Sequence, residues 1–128
     1  MFKRSLEYEL ENAFKQYPVV TLIGPRQSGK STLARNCFPK LPYVNLEDPE
    51  IRRFVSEDPR AFLNEYADGA ILDEIQNTPE LLSFIQVLVD AKNKNSLFVL
   101  TGSHQLSLHE AISQSLAGRT ALLTLLPL

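Results

Sequence analysis

One stretch constrains this 128-residue chain more than any other: Gly24-Pro25-Arg26-Gln27-Ser28-Gly29-Lys30-Ser31, two glycines framing four residues, then a lysine and a hydroxyl. Glycine admits positive backbone angles, so successive N–H groups of such a loop can turn inward and form a concavity for anionic oxygens. A helix starting at Lys30 adds free N–H groups and the positive end of its dipole. At this spacing Lys30 reaches the β- and γ-phosphates of a nucleotide and Ser31 offers its hydroxyl to Mg²⁺. Gly24, Pro25, Ser28 and Gly29 complete the expected phosphate-binding segment; Arg26 and Gln27 sit inside the loop, either as phosphate contacts or as surface. The flanks fit: Val19-Val20-Thr21-Leu22-Ile23 is apolar on both faces, as a buried parallel strand is, and residues 30–37 read as a helix.

The rest of the chain alternates in the same way. Leu6, Leu10, Ala13, Phe14 and Tyr17 recur at helical spacing, with charged residues between them, and predict an amphipathic helix over 3–16 that Pro18 stops. Short apolar runs at 43–46, 70–72, 97–100 and 120–126 predict four further strands. Asp48-Pro49, Asp58-Pro59 and Thr78-Pro79 each place a capping side chain before a proline, predicting helix starts for 49–56, 59–67 and 79–93. A last helix over 105–116 ends at Gly118. Five strands joined by helices imply one α/β domain over residues 1–128, with a parallel sheet and right-handed crossovers.

A second motif, Gly69-Ala70-Ile71-Leu72-Asp73-Glu74, ends an apolar strand in two carboxylates. In open α/β sheets ligands bind at that strand end. Asp73 suits Mg²⁺ through water, since a hard cation prefers oxygen ligands and keeps part of its hydration. Glu74 suits polarising a water for attack on the γ-phosphate. The strand at 97–100 runs into Thr101-Gly102-Ser103-His104, which brings hydroxyls to the same edge. Ser103 is expected either to contact the γ-phosphate or its attacking water, or to cap the helix that follows. Arg119, between that helix and the last strand, is either a finger that neutralises transition-state charge in a neighbouring copy or a solvated surface group.

Composition narrows the partners. Thirteen Lys+Arg against fifteen Asp+Glu give a net charge of −2, without the basic footprint of a domain that binds nucleic acid through its phosphates. Lys3-Arg4 and Arg52-Arg53 are scattered pairs. One cysteine, Cys37, has no bridging partner, and His104 and His109 read as surface groups, so a reduced, cytoplasmic setting is expected. No apolar run approaches the ~20 residues of a membrane helix, and the charged start does not read as a signal peptide.

Together these residues resemble the AAA-type P-loop ATPases of bacteria and archaea, in particular the subfamily of predicted ATPases that carries a C-terminal domain of unknown function. The likeness runs from Val20 through Leu33, Tyr43-Val44-Asn45-Leu46-Glu47-Asp48-Pro49, Leu72-Asp73-Glu74-Ile75-Gln76 and Leu100-Thr101-Gly102-Ser103 to Leu116-Ala117-Gly118-Arg119. It implies a three-layer P-loop NTPase fold with strand order 5-1-4-3-2. It also implies that Lys30, Ser31 and Thr32 bind nucleotide and Mg²⁺, that Asp73 is the Walker B carboxylate and Glu74 the catalytic one, that Ser103 is the sensor, and that Arg119 is a finger acting in trans in a homo-oligomer. Family members run on into a helical lid and a C-terminal domain, whereas this chain stops at Leu128. The expected activity is Mg²⁺-dependent hydrolysis of ATP to ADP and phosphate, driving a conformational change. The alternatives are a nucleotide-binding module that turns over poorly without its lid and, behind it, a P-loop kinase for a small molecule.

Overall fold

Three of the five strands are almost wholly apolar and buried at every position, so the sheet lies in the middle of the molecule with helices on both sides. The computed structural model describes residues 2–25 and 28–125. Five strands, β1 (Val19–Ile23), β2 (Tyr43–Asn45), β3 (Ala70–Asp73), β4 (Phe98–Gly102) and β5 (Thr120–Thr124), form one sheet in the order β2-β3-β4-β1-β5. All pairings are parallel, and read from the other edge this is the expected order 5-1-4-3-2. The helices are α1 (Phe2–Gln16), α2 (Lys30–Cys37), α3 (Pro49–Glu57), α4 (Pro59–Asn64), α5 (Leu81–Lys92) and α6 (Leu106–Leu116).

Alternation along the strands sorts the helices into layers. Val20 and Leu22 face α1 and α2, where they pack with Leu10 and Leu33, while Ile71 and Val99 meet Ala34 of α2 on the same side. Val19, Ile23, Leu72, Phe98 and Leu100 point the other way, into a larger core with Val55, Phe62, Ile85, Val89 and Ile112 from α3 to α6. Each buried aliphatic side chain contributes about 1.5–3 kcal/mol relative to exposure, so the two apolar faces of the sheet hold the layers together.

The aspartate–proline helix starts form as expected: the Asp48 carboxylate accepts from the Glu50 amide at 2.9 Å and Asp58 from the Ala61 amide at 3.0 Å. The third start differs. Thr78 closes a short 3₁₀ turn, Ile75–Asn77, and donates its own amide to the Ile75 carbonyl; its hydroxyl is buried and hydrogen-bonds nothing. Helix α5 therefore begins at Leu81, behind tight bonds from Leu81 and Leu82 to the carbonyls of Thr78 and Pro79. The reason is local: the chain leaves β3 through a left-handed residue, Glu74, and needs that 3₁₀ turn to bring Leu81 and Leu82 back onto the core. The last strand, expected over 120–126, ends at Thr124; Leu125 lies beyond it, and Leu126 lies outside the described residues.

Cys37 is half-buried; burial first, and then Glu11 and Glu7, push its thiol up to about 11, so at neutral pH it stays protonated and a poor nucleophile. No helix among the described residues is long and apolar enough to cross a membrane. Gly69 precedes β3 at φ +116°, and a Cβ there would lie 2.2 Å from the Leu97 carbonyl oxygen. Gly69→Ala is therefore expected to destabilise the fold by about 3 kcal/mol or more, seen as a lower urea midpoint with the slope unchanged.

Candidate functional site

Because all five strands run the same way, the loops after β1, β3 and β4 emerge at one edge. The loop after β1 is tied there by the Gly24 amide, which donates to the Gly102 carbonyl at 3.1 Å. A Cβ on Gly24 would meet the Leu125 carbonyl oxygen at 2.9 Å and the Ser28 hydroxyl at 3.0 Å, so only glycine fits this approach. Gly29 ends the loop in the left-handed region at φ +87° and opens α2, where no side chain caps the free amides. Open space surrounds the place its Cβ would occupy. Those uncapped N–H groups are available to an anion.

Lys30, on the first turn of α2, is 3% exposed. Its Nζ lies 3.3 Å from the Pro25 carbonyl and 3.5 Å from Glu74 Oε2. A lysine this deep needs acceptors, and the loop carbonyl and the Glu74 carboxylate supply them. Glu74 follows β3 at φ 64°, ψ 57°, a backbone conformation that costs a non-glycine residue about 1–3 kcal/mol. The kink aims its carboxylate at Lys30. The Gln76 amide donates to Glu74 Oε1 at 2.8 Å, and Gln76 Oε1 in turn accepts from the Ser103 amide at 3.2 Å, linking the ends of β3 and β4.

Asp73 is 6% exposed. The Thr101 hydroxyl donates to its Oδ1 and accepts from the Glu74 amide, so one side chain braces both carboxylate residues. The Tyr43 hydroxyl donates to Asp73 Oδ2 at 2.6 Å and lies 3.5 Å from the Ser31 hydroxyl, which points toward it. Burial, and next the bond to Asp73, push the Tyr43 phenol above its ordinary range. Two hydroxyls near this edge, those of Ser28 and Ser103, are buried without a partner. Unpaired buried hydroxyls are costly in a finished interior and ordinary in a site waiting for a polar ligand.

The structure thus brings together Gly24, Pro25, Ser28, Gly29, Lys30, Ser31, Asp73, Glu74 and Ser103. Thr32 is exposed on the first turn of α2 and lines a flanking cavity of about 440 Å³ with Arg35 and Tyr43. Arg26 and Gln27 lie outside the described residues. Ser103 does not cap α6: Gln105 occupies that position and no side chain bonds the free amides. His109, expected at the surface, is half-buried, with its Nε2 unpaired and its ring centroid 5.3 Å from that of exposed His104.

Arg119 stands apart. It precedes β5, next to Pro18 at the opposite edge of the sheet, where its Nε and Nη2 bind the two Asp90 oxygens at 2.7 and 2.9 Å. That pairing holds the Asp90 carboxyl below its usual range. Within one copy Arg119 is remote from Lys30. Tyr43, Thr101 and Gln76 were not singled out from the sequence as site residues. The signal was there in part, since Thr101 lies two residues beyond Val99 on a strand whose alternate residues share a face.

A family model described as AAA domain matches residues 16–128. Uncharacterized proteins of Mycobacterium bovis and Mycobacterium tuberculosis are each 33% identical over 124 residues, 96% of this chain. The chain spans 28% of the length of either. The Walker-type ATPase PABY2304 of Pyrococcus abyssi superposes with a TM-score of 0.69 at 22% identity, over 98% of this chain and 53% of that one. Cdc6p of Pyrobaculum aerophilum superposes at 0.56 and 16% identity, over 97% and 44%. At these identities the two structures speak for the fold.

The Lys30–Glu74 pair makes a prediction of its own. Glu74→Gln keeps the shape but leaves a buried ammonium without a counter-charge, and is expected to cost the ligand-free protein about 2 kcal/mol. Urea denaturation of the two proteins without nucleotide measures it.

Proposed function

Because the chain belongs to the AAA domain family, whose model matches residues 16–128, we propose that it binds ATP with Mg²⁺ and hydrolyses it to ADP and phosphate. The observation that carries this reading is the convergence, at one sheet edge, of an uncapped helix N-terminus, a buried lysine and two adjacent carboxylates. The residues fit the ligand: Lys30 and the free amides of α2 answer to polyphosphate charge, and the unpaired hydroxyls of Ser28 and Ser103 answer to its oxygens. Ser31, with Asp73 through water, would hold Mg²⁺, which when bound neutralises charge on the β- and γ-phosphates.

The chain's own residues do the rest. Polyphosphate competes with Glu74 for the Lys30 ammonium, so binding releases the Glu74 carboxylate from its ion pair while Gln76 keeps it oriented. Freed, Glu74 accepts the proton of the attacking water. Ser103, tied to Gln76 through its amide, contacts the γ-phosphate or that water. Arg119, remote from its own site, acts on the site of a neighbouring copy in a homo-oligomer and must leave Asp90 to do so. Hydrolysis at this site would drive a conformational change of the protein that carries it. One observation favours a second reading, binding without turnover: the hydrolytic carboxylate is held by both Lys30 and Gln76.

Thermal unfolding with Mg²⁺ and nucleotide tests the binding. At a hundred times the dissociation constant, ATP or ADP should add about 2.7 kcal/mol, a midpoint rise of several degrees at this size. GTP should give less, and Lys30→Ala should remove most of the effect. No shift with saturating nucleotide would overturn the proposal. Phosphate release that Glu74→Gln abolishes identifies the hydrolase; binding with no Glu74-dependent release identifies the module.

A further inference from the structure

We propose that Tyr43 is a positioning residue for Asp73, setting the affinity of the site for Mg²⁺; this rests on the nucleotide reading above and deepens it. Tyr43 opens the edge strand β2, opposite Ile71 in the register, with Asp73 two residues further along the same face of β3. Its ring lies along the strand, so its hydroxyl reaches Asp73 Oδ2 at 2.6 Å. Thr101 holds Oδ1 from the other side. With one donor on each oxygen, the carboxylate cannot rotate without breaking two charge-assisted bonds, and each oxygen keeps a lone pair for a further donor.

The same phenol oxygen lies 3.5 Å from the Ser31 hydroxyl. One group therefore touches both side chains that would hold the metal, Ser31 directly and Asp73 through water. Packing does not explain a tyrosine here. The residue is 36% exposed and belongs to none of the core clusters. The Arg35 guanidinium, 4.3 Å from the ring centroid, covers one face of the ring, and phenylalanine would serve that contact as well. What only tyrosine supplies is the hydroxyl, and its bonds go to Asp73 and Ser31.

Tyr43→Phe isolates that hydroxyl while keeping the ring and its Arg35 contact. The experiment titrates Mg²⁺ into the protein saturated with a non-hydrolysable ATP analogue and reads the thermal midpoint, with an EDTA baseline for metal-free nucleotide binding. Loss of groups that orient metal ligands typically weakens affinity by about 10–100-fold, so the Mg²⁺ midpoint should rise about tenfold, with metal-free nucleotide affinity kept within about twofold. An unchanged Mg²⁺ midpoint would show the hydroxyl to be incidental and overturn the proposal. A lower midpoint would overturn it too, by showing that the phenol competes with the metal, and so would an equal loss of metal-free binding, which would place Tyr43 in nucleotide binding or folding. If wild type itself shows no Mg²⁺ response, the nucleotide reading fails and takes this proposal with it. A normal wild-type response with an unshifted Tyr43→Phe fails the Tyr43 proposal alone.

Discussion

The parallel hydrogen-bonding of β1 with β4, and of β4 with β3, is the constraint on which everything else rests. It aligns three strand ends, so that Gly24, Glu74 and Ser103 leave the sheet side by side although fifty and then twenty-nine positions separate them in sequence. An antiparallel partner would send one of these loops to the far edge. Burial enforces the arrangement: β1, β3 and β4 are buried at every position, and parallel sheets of this kind persist where helices cover both faces.

Much of this was readable from residue pattern because it depends on local chemistry. The strand β1, the glycine-framed loop and the aspartate–proline starts of α3 and α4 need only the residues they contain. What was not readable depends on pairing across the sheet. Thr78-Pro79 looks like Asp48-Pro49, yet it caps nothing, because the left-handed Glu74 upstream spends the intervening residues on a 3₁₀ turn. Tyr43 and Thr101 become partners of Asp73 through the β2–β3 register and the β3–β4 register, and neither register is written in either strand alone. Of the hydroxyls at this edge, the Ser103 hydroxyl bonds nothing within the described residues, while Thr101, two residues earlier, braces both carboxylate residues.

The electrostatics of the edge are tightly knit. A lysine 3% exposed is tolerated because a carboxylate on a strained backbone faces it. That carboxylate is in turn held by an amide whose other end reaches the loop after β4. Hydrogen-bonded networks in a low-dielectric interior respond as units, so an anion that draws Lys30 away is felt at Glu74, Gln76 and the Ser103 amide together.

The bond between Arg119 and Asp90 lies at the other end of the strands from Lys30. The two ends of the strands thus each carry an ion pair, Arg119 with Asp90 at one pole and the buried Lys30 with Glu74 at the other. On the proposal that Arg119 serves a neighbouring copy, a head-to-tail contact would let every copy both give and receive, and such contacts either close into a ring or grow into a filament.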